Sequence, residues 1–395
     1  MDTPPELKAL WDRAILLHGQ SRYGDALACL HTLEASLPEH PGLLANLGIV
    51  YRDSGDLARS EQYLRRACAA QPEDAAVHFN LGLALLRAGR LREGFLEYEW
   101  RWQVQQFAAQ RREFSQPLWN GEPLHGRRIL IYGEQGAGDA IEFVRYAPLV
   151  RSAGGEVVVE VLPHLERLLS WMEGGYRVVN ALAPHLERLR SWMEGGYRVL
   201  DALPAGGQFD VQCPLLGLPL RFGTELDSIP APARFSIPPA AQAKWTRRLR
   251  TGRTAIGLVW AGNPEHANDR ARSLPAESLL PIAQLPGVQC WSLQVGPAAA
   301  DLPVGAVNLA EELVDFAETA AAISALDLVI TVDTAVAHLA GSLGKPVWLL
   351  APYAADWRWM LAREDTPWYP SMRIFRQPRP GEWGEVIARA VSQLR

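Results

Sequence analysis

The sequence predicts a helical repeat array followed by two α/β lobes, a fold class of α + α/β, and three observations carry that prediction. A pattern near the N-terminus returns every 34 residues. Beyond residue 127, short apolar runs alternate with stretches of helical pattern. A run of prolines at Pro230, Pro232, Pro238 and Pro239 then divides that second part in two.

The repeat is read from identities. Asn46, Leu47 and Gly48 return as Asn80, Leu81 and Gly82; Gly55 returns as Gly89, Leu57 as Leu91, and Pro38 as Pro72. A degenerate first copy over 7–39 keeps Leu17, Ala26 and Leu30 in register, with Ser21 where the later copies have glycine. The period, with small residues where paired helices touch and a proline closing each pair, resembles the tetratricopeptide repeat. One helix pair cannot bury its apolar face alone, so neighbours stack into a solenoid. Two uses of the array stay open: a packing or homodimer contact, and recognition of a protein or peptide by the concave face, into which Asn46 and Asn80 are expected to point.

A second repeat differs in kind. The segment from Pro163, His164, Leu165, Glu166 and Arg167 recurs nearly verbatim from Pro184, His185, Leu186, Glu187 and Arg188, a tandem duplication of 21 residues spanning 163–203. Each copy reads as a helix, a Gly-Gly turn and a short strand. One copy is expected in the sheet and the other as an excursion, with His164 and His185 as surface residues.

The apolar runs at 128–132, 157–161, 209–213, 255–260, 289–294, 326–331 and 347–350 read as buried strands. Helices fit at 140–152, 316–326 and 335–343. Strands separated by helices imply parallel sheets covered on both faces, with ligands beyond the carboxyl ends of the strands. The resulting organisation is repeats over 1–106, a linker over 107–126, an N-terminal lobe over 127–238 and a C-terminal lobe over 239–395.

Composition narrows the function. A formal net charge of -5 argues against a nucleic-acid binder. Cys29, Cys68, Cys213 and Cys290 are scattered and form no zinc or disulfide pattern. The N-terminal stretch is acidic and polar, and no run of 18 uncharged apolar residues occurs, so a cytoplasmic protein without a membrane span is expected. The 14 tryptophans favour stacking on a sugar or base, with Trp357, Trp359 and Trp368 the candidates.

Three polar clusters follow strands. In the first, Gly136 and Gly138 let the backbone turn tightly ahead of a helix, and Asp139 sits at that helix start as a cap or a reactive carboxylate. The second runs through Gly262 and Asn263 to Arg270 and Arg272, whose guanidinium groups suit phosphate oxygens. The third holds Asp333, Thr334 and His338, where hydroxyl and amide groups at a helix start can bind a diphosphate.

Together the Gly-Asp turn, the Arg-Ser-Leu-Pro segment at 272–275 and the Asp-Thr…His-Leu-Ala segment at 333–340 resemble the family 9 glycosyltransferases, the heptosyltransferase-like group. The tryptophan-rich segments at 356–359 and 366–370 resemble a bacterial subgroup that joins tetratricopeptide repeats to such a transferase. The resemblance covers about 127–395 and implies two Rossmann-like lobes of GT-B type. It implies an inverting, metal-independent transfer from a nucleotide-diphosphate sugar to a protein, glycan or lipid-linked acceptor, with no cofactor. Asp139 matches the general base, and Arg272 a basic residue at the donor diphosphate. Asp333, Thr334 and His338 match the donor-binding segment, with Gln294 and Gly296 bordering the nucleoside. Ala335 departs from the glycine usual there. Two rivals remain: a non-catalytic scaffold with a degenerate transferase domain, and a two-lobe nucleotide-sugar epimerase.

Overall fold

The computed structural model describes residues 4–108, 111–180 and 209–395. Two compact units form: one from Met1–Arg111, Gly223–Ser228 and Ala354–Arg363, the other from Arg112–Phe222, Ile229–Tyr353 and Glu364–Arg395. The helical unit thus takes in two stretches from beyond the boundary drawn at residue 106.

The helical unit contains three antiparallel pairs, α1 (Pro5–Gly19) with α2 (Tyr23–Glu34), α3 (Pro41–Ser54) with α4 (Leu57–Ala70), and α5 (Ala75–Arg87) with α6 (Leu91–Tyr98). Steric demand explains the repeated glycines. A Cβ on Gly48 would lie 2.5 Å from Leu64 Cγ, and one on Gly82 would lie 2.8 Å from the Tyr98 nitrogen. The turn inside each pair needs a left-handed residue, supplied by Gly55 at φ +93° and Gly89 at φ +80°. Ser21 adopts the same conformation at φ +59°, so the degenerate repeat keeps the geometry at the cost of strain.

A charged row crosses the ends of α1, α3 and α5. Asp53 accepts from Arg52 Nε at 2.9 Å and lies 2.8 Å from His18 Nε2, while Arg87 Nη1 donates to the Arg52 carbonyl at 3.0 Å. Burial works against the Asp53 charge, yet Arg52 and His18 hold its carboxyl well below the usual carboxylate range. Asn80 is consumed within the array: its Oδ1 accepts from Arg52 Nη1 and its Nδ2 donates to the Ala76 carbonyl, both at 2.8 Å. In the same unit Trp357 packs edge-on against Phe95, with ring centroids 5.6 Å apart.

The α/β unit holds two all-parallel sheets. The first contains β1 (Arg128–Tyr132), β2 (Glu156–Val161), β3 (Arg177–Asn180) and β4 (Val211–Pro214), in the order β3-β2-β1-β4. The second contains β5 (Thr254–Val259), β6 (Val288–Ser292), β7 (Ala306–Asn308), β8 (Leu328–Val332), β9 (Val347–Ala351) and β10 (Met372–Arg376), in the order β10-β9-β8-β5-β6-β7. That second order is 3-2-1-4-5-6 within its lobe, the doubly wound arrangement, with its switch point between β5 and β8. The first sheet shows the corresponding 3-2-1-4 half, with its switch point between β1 and β4.

Helices α7 (Ala137–Phe143), α8 (Ala147–Ser152), α9 (Pro163–Ser170), α10 (Pro239–Leu249), α11 (Phe316–Ala325), α12 (Ala335–Ser342) and α13 (Trp383–Leu394) cover the sheets. The single helix expected over 140–152 is two, separated by a 3-10 turn at Val144–Tyr146, because Pro148 fits the first turn of a new helix but not a helix interior. Segment 112–126 is bound to the first sheet and is no loose linker. Trp119 is fully buried with its nitrogen donating to the Gln212 carbonyl at 2.8 Å, and Arg112 pairs with the buried Glu160.

The first copy of the duplication supplies α9 and β3, with β3 on the edge beside β2. The second copy, with His185, lies outside the described residues. His164 departs from the expected surface position: it is half-buried, its ring 5.4 Å from that of Phe316 at the start of α11. Beside it Arg167 Nη2 donates to Asp315 Oδ1 at 2.6 Å, which ties α9 to α11.

Burial pushes the His164 imidazole down to about 4, against the opposing pull of Asp315. The unfolded chain therefore takes up this proton below about pH 6.5 while the folded chain does not, so stability falls from there to about pH 4. His164→Phe keeps the aromatic packing and removes the titration. Its melting temperature should drop less than the wild type's between pH 7 and pH 4.5 in scanning calorimetry. An equal drop in both proteins would show that another group carries the acid sensitivity.

Candidate functional site

The two switch points gather the polar clusters. At the end of β5, the chain turns through Trp260, Ala261 and Gly262, and Gln294 holds this turn. Gln294 is buried; its Oε1 accepts from the Trp260 and Ala261 amides at 3.1 and 2.9 Å, and its Nε2 donates to the Val295 carbonyl at 3.1 Å. Just beyond, Gly296 takes φ +74° ahead of the 3-10 turn Pro297–Ala300.

A compact network continues from Gly262. Its amide donates to Ser273 Oγ at 2.9 Å, and that hydroxyl donates to Asp269 Oδ1 at 3.0 Å. Arg272 Nε donates to the same carboxylate oxygen at 3.2 Å, and its Nη1 donates to the Asp333 carbonyl at 3.0 Å. The guanidinium lies close against Gly262, where a Cβ would come within 2.5 Å of Nη2. Asn263 shapes its own loop, its Oδ1 accepting from the Glu265 amide at 3.1 Å. Gly262, Arg272 and Asp333 are thereby brought together from segments far apart in sequence.

Asp333 and Thr334 lead from β8 into α12. Thr334 is extended, at φ −143°, and its Oγ1 lies 3.2 Å from Thr331 Oγ1, so its hydroxyl is turned away from the amides of the first helical turn. Those amides carry the partial positive charge of the helix start.

The turn after β1 meets this same helix. Asp139 Oδ2 accepts from the Gly136 amide at 3.0 Å, which closes a cap around the start of α7. A Cβ on Gly138 would stand 3.0 Å from His338 Cδ2 and 3.5 Å from Ala335 Cα, so the first turns of α7 and α12 touch where both residues are small. His338 is buried at this contact: its Nδ1 lies 3.0 Å from Tyr369 Oη and 3.8 Å from Glu142 Oε2.

The sequence pattern assigned no role to Asp269 or Ser273, placed Tyr369 only within the 366–370 segment, and missed Arg145. Arg145 is buried, donating from Nε to the Glu142 carbonyl at 2.8 Å and from Nη1 to the Trp368 and Pro230 carbonyls at 3.0 and 3.2 Å. Trp357, Trp359 and Trp368, expected to stack on a ligand, are instead interior residues at 4%, 0% and 0% exposure. Each indole found a protein neighbour, as large apolar rings do when packing is available. Among the described residues no group of three or more His, Cys, Asp or Glu side chains can hold a metal ion, and no helix is long and apolar enough to cross a membrane.

Comparison with known proteins matches these parts. The tetratricopeptide repeat description matches residues 11–72 and 46–102. Glycosyltransferase family 9 (heptosyltransferase) matches residues 295–375, which includes Gly296, Asp333, Thr334 and His338. Protein FlbA of Caulobacter vibrioides is 27% identical over 413 residues, covering 99% of this chain and 67% of that protein. Among solved structures, a family 9 glycosyl transferase from Veillonella parvula aligns at 13% identity and TM-score 0.44, over 66% of this chain and 88% of that one. The E. coli ADP-heptose LPS heptosyltransferase II aligns at 14% identity and TM-score 0.43, over 68% and 99%. The chain thus carries tetratricopeptide repeats together with a family 9, heptosyltransferase-like domain, and a role in glycosyl transfer follows from that domain.

Two glycine substitutions distinguish soft from rigid neighbours. A Cβ at Gly262 meets the far ends of Arg272 and Asp269, whereas one at Gly341 meets the Tyr369 ring at 2.6 Å. Gly341→Ala should cost about 1–3 kcal/mol, and Gly262→Ala less than about 1 kcal/mol, because only the first forces a ring and backbone to separate. Urea unfolding of the two variants checks this; a neutral Gly341→Ala would contradict the packing of Tyr369 on α12.

Proposed function

We propose that the α/β unit moves a sugar from a nucleotide-diphosphate sugar to a hydroxyl of a protein, glycan or lipid-linked acceptor, inverting the anomeric centre without a metal ion. The observation that carries this reading is the bond from Arg272 to the Asp333 carbonyl, which sets a guanidinium beside the start of α12. A fixed cation next to a helix N-terminus is suited to a diphosphate leaving group. Gly262 packs against that guanidinium; Asn263 and Gly296 would border the donor, and Asp333, Thr334 and His338 belong to the segment that would hold it.

In the proposed step the acceptor oxygen attacks the anomeric carbon as its proton passes to the Asp139 carboxylate. The bond from that carbon to the diphosphate oxygen breaks, and the charge left on the diphosphate is met by Arg272 and the α12 amides. Gly138 keeps the Asp139 turn close to α12, and the Gly136 amide holds the Asp139 carboxylate. The repeats would supply contacts to a protein partner or a second copy of the chain, and the protein would work in the cytoplasm. One observation favours the rival of a non-catalytic scaffold: the Asp139 carboxylate already serves as the cap of α7.

Two measurements separate these. The first is a thermal-shift screen against UDP, GDP, ADP, CMP and dTDP sugars, with and without magnesium. It should show one nucleotide raising the melting temperature equally in both conditions. The second uses Asp139→Asn, whose amide oxygen still accepts from the Gly136 amide. This variant should keep the fold and the thermal shift while losing about 10²–10⁴-fold in turnover. Undiminished turnover in Asp139→Asn would remove Asp139 as the base, and no shift with any nucleotide would favour the scaffold.

A further inference from the structure

Tyr369 stands at the end of the tryptophan-rich segment that no step above uses. Its ring lies directly on the backbone of α12, since a Cβ at Gly341 would meet its Cγ and Cδ1 at 2.6 Å. Its hydroxyl is 3.0 Å from His338 Nδ1, and the two rings meet edge to face with centroids 5.7 Å apart. The opposite edge of His338 faces Gly138, so the imidazole is wedged between Tyr369 and the turn that carries Asp139.

The other side of Tyr369 is held as firmly. The Arg145 guanidinium carbon lies 4.8 Å from its ring centroid and 5.4 Å from that of Trp368. Phe143, the last residue of α7, meets Trp368 edge-on at 5.9 Å. Both ends of α7 are therefore gripped by the same few residues: its start through His338, its end through Arg145 and Phe143. A buried cation whose Nε and Nη1 are bonded to three carbonyls and whose face meets two aromatic rings does not move without losing these contacts.

We propose that Tyr369 is a positioning residue that, through His338, fixes the Asp139 turn against the start of α12. The mechanical half of this proposal stands on packing alone; its kinetic half rests on the transfer reading given above. In Tyr369→Phe one oxygen is removed, the ring stays on Gly341, and His338 loses its 3.0 Å hydroxyl partner.

Hydrogen–deuterium exchange of the full chain tests the mechanical half. Tyr369→Phe should speed exchange in residues 133–143 by about tenfold, the scale of one lost hydrogen bond, while residues 41–70 stay unchanged. No change in 133–143 overturns the proposal whatever the protein's activity. Should Tyr369→Phe fail to fold, Gly138→Ala probes the same link from its other end. It should speed exchange in 366–377, and a lack of effect there overturns the proposal equally.

Turnover of whichever UDP-, GDP-, ADP-, CMP- or dTDP-sugar shifts the wild type tests the kinetic half. Tyr369→Phe should lower kcat about tenfold and leave KM for that donor within about threefold, since Tyr369 orients the turn and does not touch the donor. A raised KM with unchanged kcat would place Tyr369 in donor binding and end the positioning role. If no nucleotide-sugar binds, the transfer reading fails, and the exchange result still decides the packing link.

Discussion

The arrangement of the α/β unit depends on one contact, the meeting of α7 and α12 at their first turns. Each helix springs from a strand at a switch point, α7 after β1 and α12 after β8, so each begins at the carboxyl edge of its own sheet. Their approach is set by the smallest side chains available. Gly138 leaves room for the edge of His338, and Ala335 faces Gly138 with its Cα 3.5 Å from where a Cβ would sit. The alanine that departs from the usual glycine is accommodated because its opposite number has no side chain at all. Larger residues at either place would separate the turns and with them the Asp139 and Thr334 segments.

Such a contact buries polar groups, and the structure answers for them mostly with backbone. Arg145 is surrounded by the carbonyls of Glu142, Pro230 and Trp368. Arg272 is shared between the Asp269 carboxylate and the Asp333 carbonyl. At Arg145 carbonyl dipoles take the part that a carboxylate would play, whereas Arg272 has both a carbonyl and a carboxylate partner. In the helical unit Asp53 is set directly against Arg52 and His18.

The fold was largely legible, because periodicity and small-residue spacing are local properties. The 34-residue period located the helix pairs, and Ser21 takes the left-handed turn that its alignment with Gly55 and Gly89 implied. Apolar runs located β1, β2, β4, β5, β6, β8 and β9, and the duplication pointed to β3, while the edge strands β7 and β10 were not read. The site was legible as segments and less so as side chains. A polar residue just past a strand can reach outward to a ligand or back to an amide, and the sequence is the same in either case. Gln294 and Asn263 reach back, to Trp260, Ala261 and Glu265, and His338 turns inward to Tyr369. The roles of Arg145 and Tyr369 escaped notice because they rest on carbonyls and ring faces brought together from separate segments, Arg145 and Trp368 being 223 residues apart, contacts that leave no trace in spacing.

The duplication shows the reverse situation, in which a local difference decides a long-range outcome. Two copies carry nearly the same helix and strand pattern, so both satisfy the periodicity of α9 and β3. Their helices differ at one place, Leu169 in the first copy and Arg190 in the second. In α9 that position is 1% exposed, beside the buried Leu165 and Leu168. Placing the second copy there would press a guanidinium into an apolar setting, where an unpaired charge is strongly disfavoured. The first copy's leucine instead completes the apolar face. His164 and Arg167 cannot make the choice, since His185 and Arg188 repeat them; within the helix the discrimination falls to the single position that carries Leu169 in one copy and Arg190 in the other.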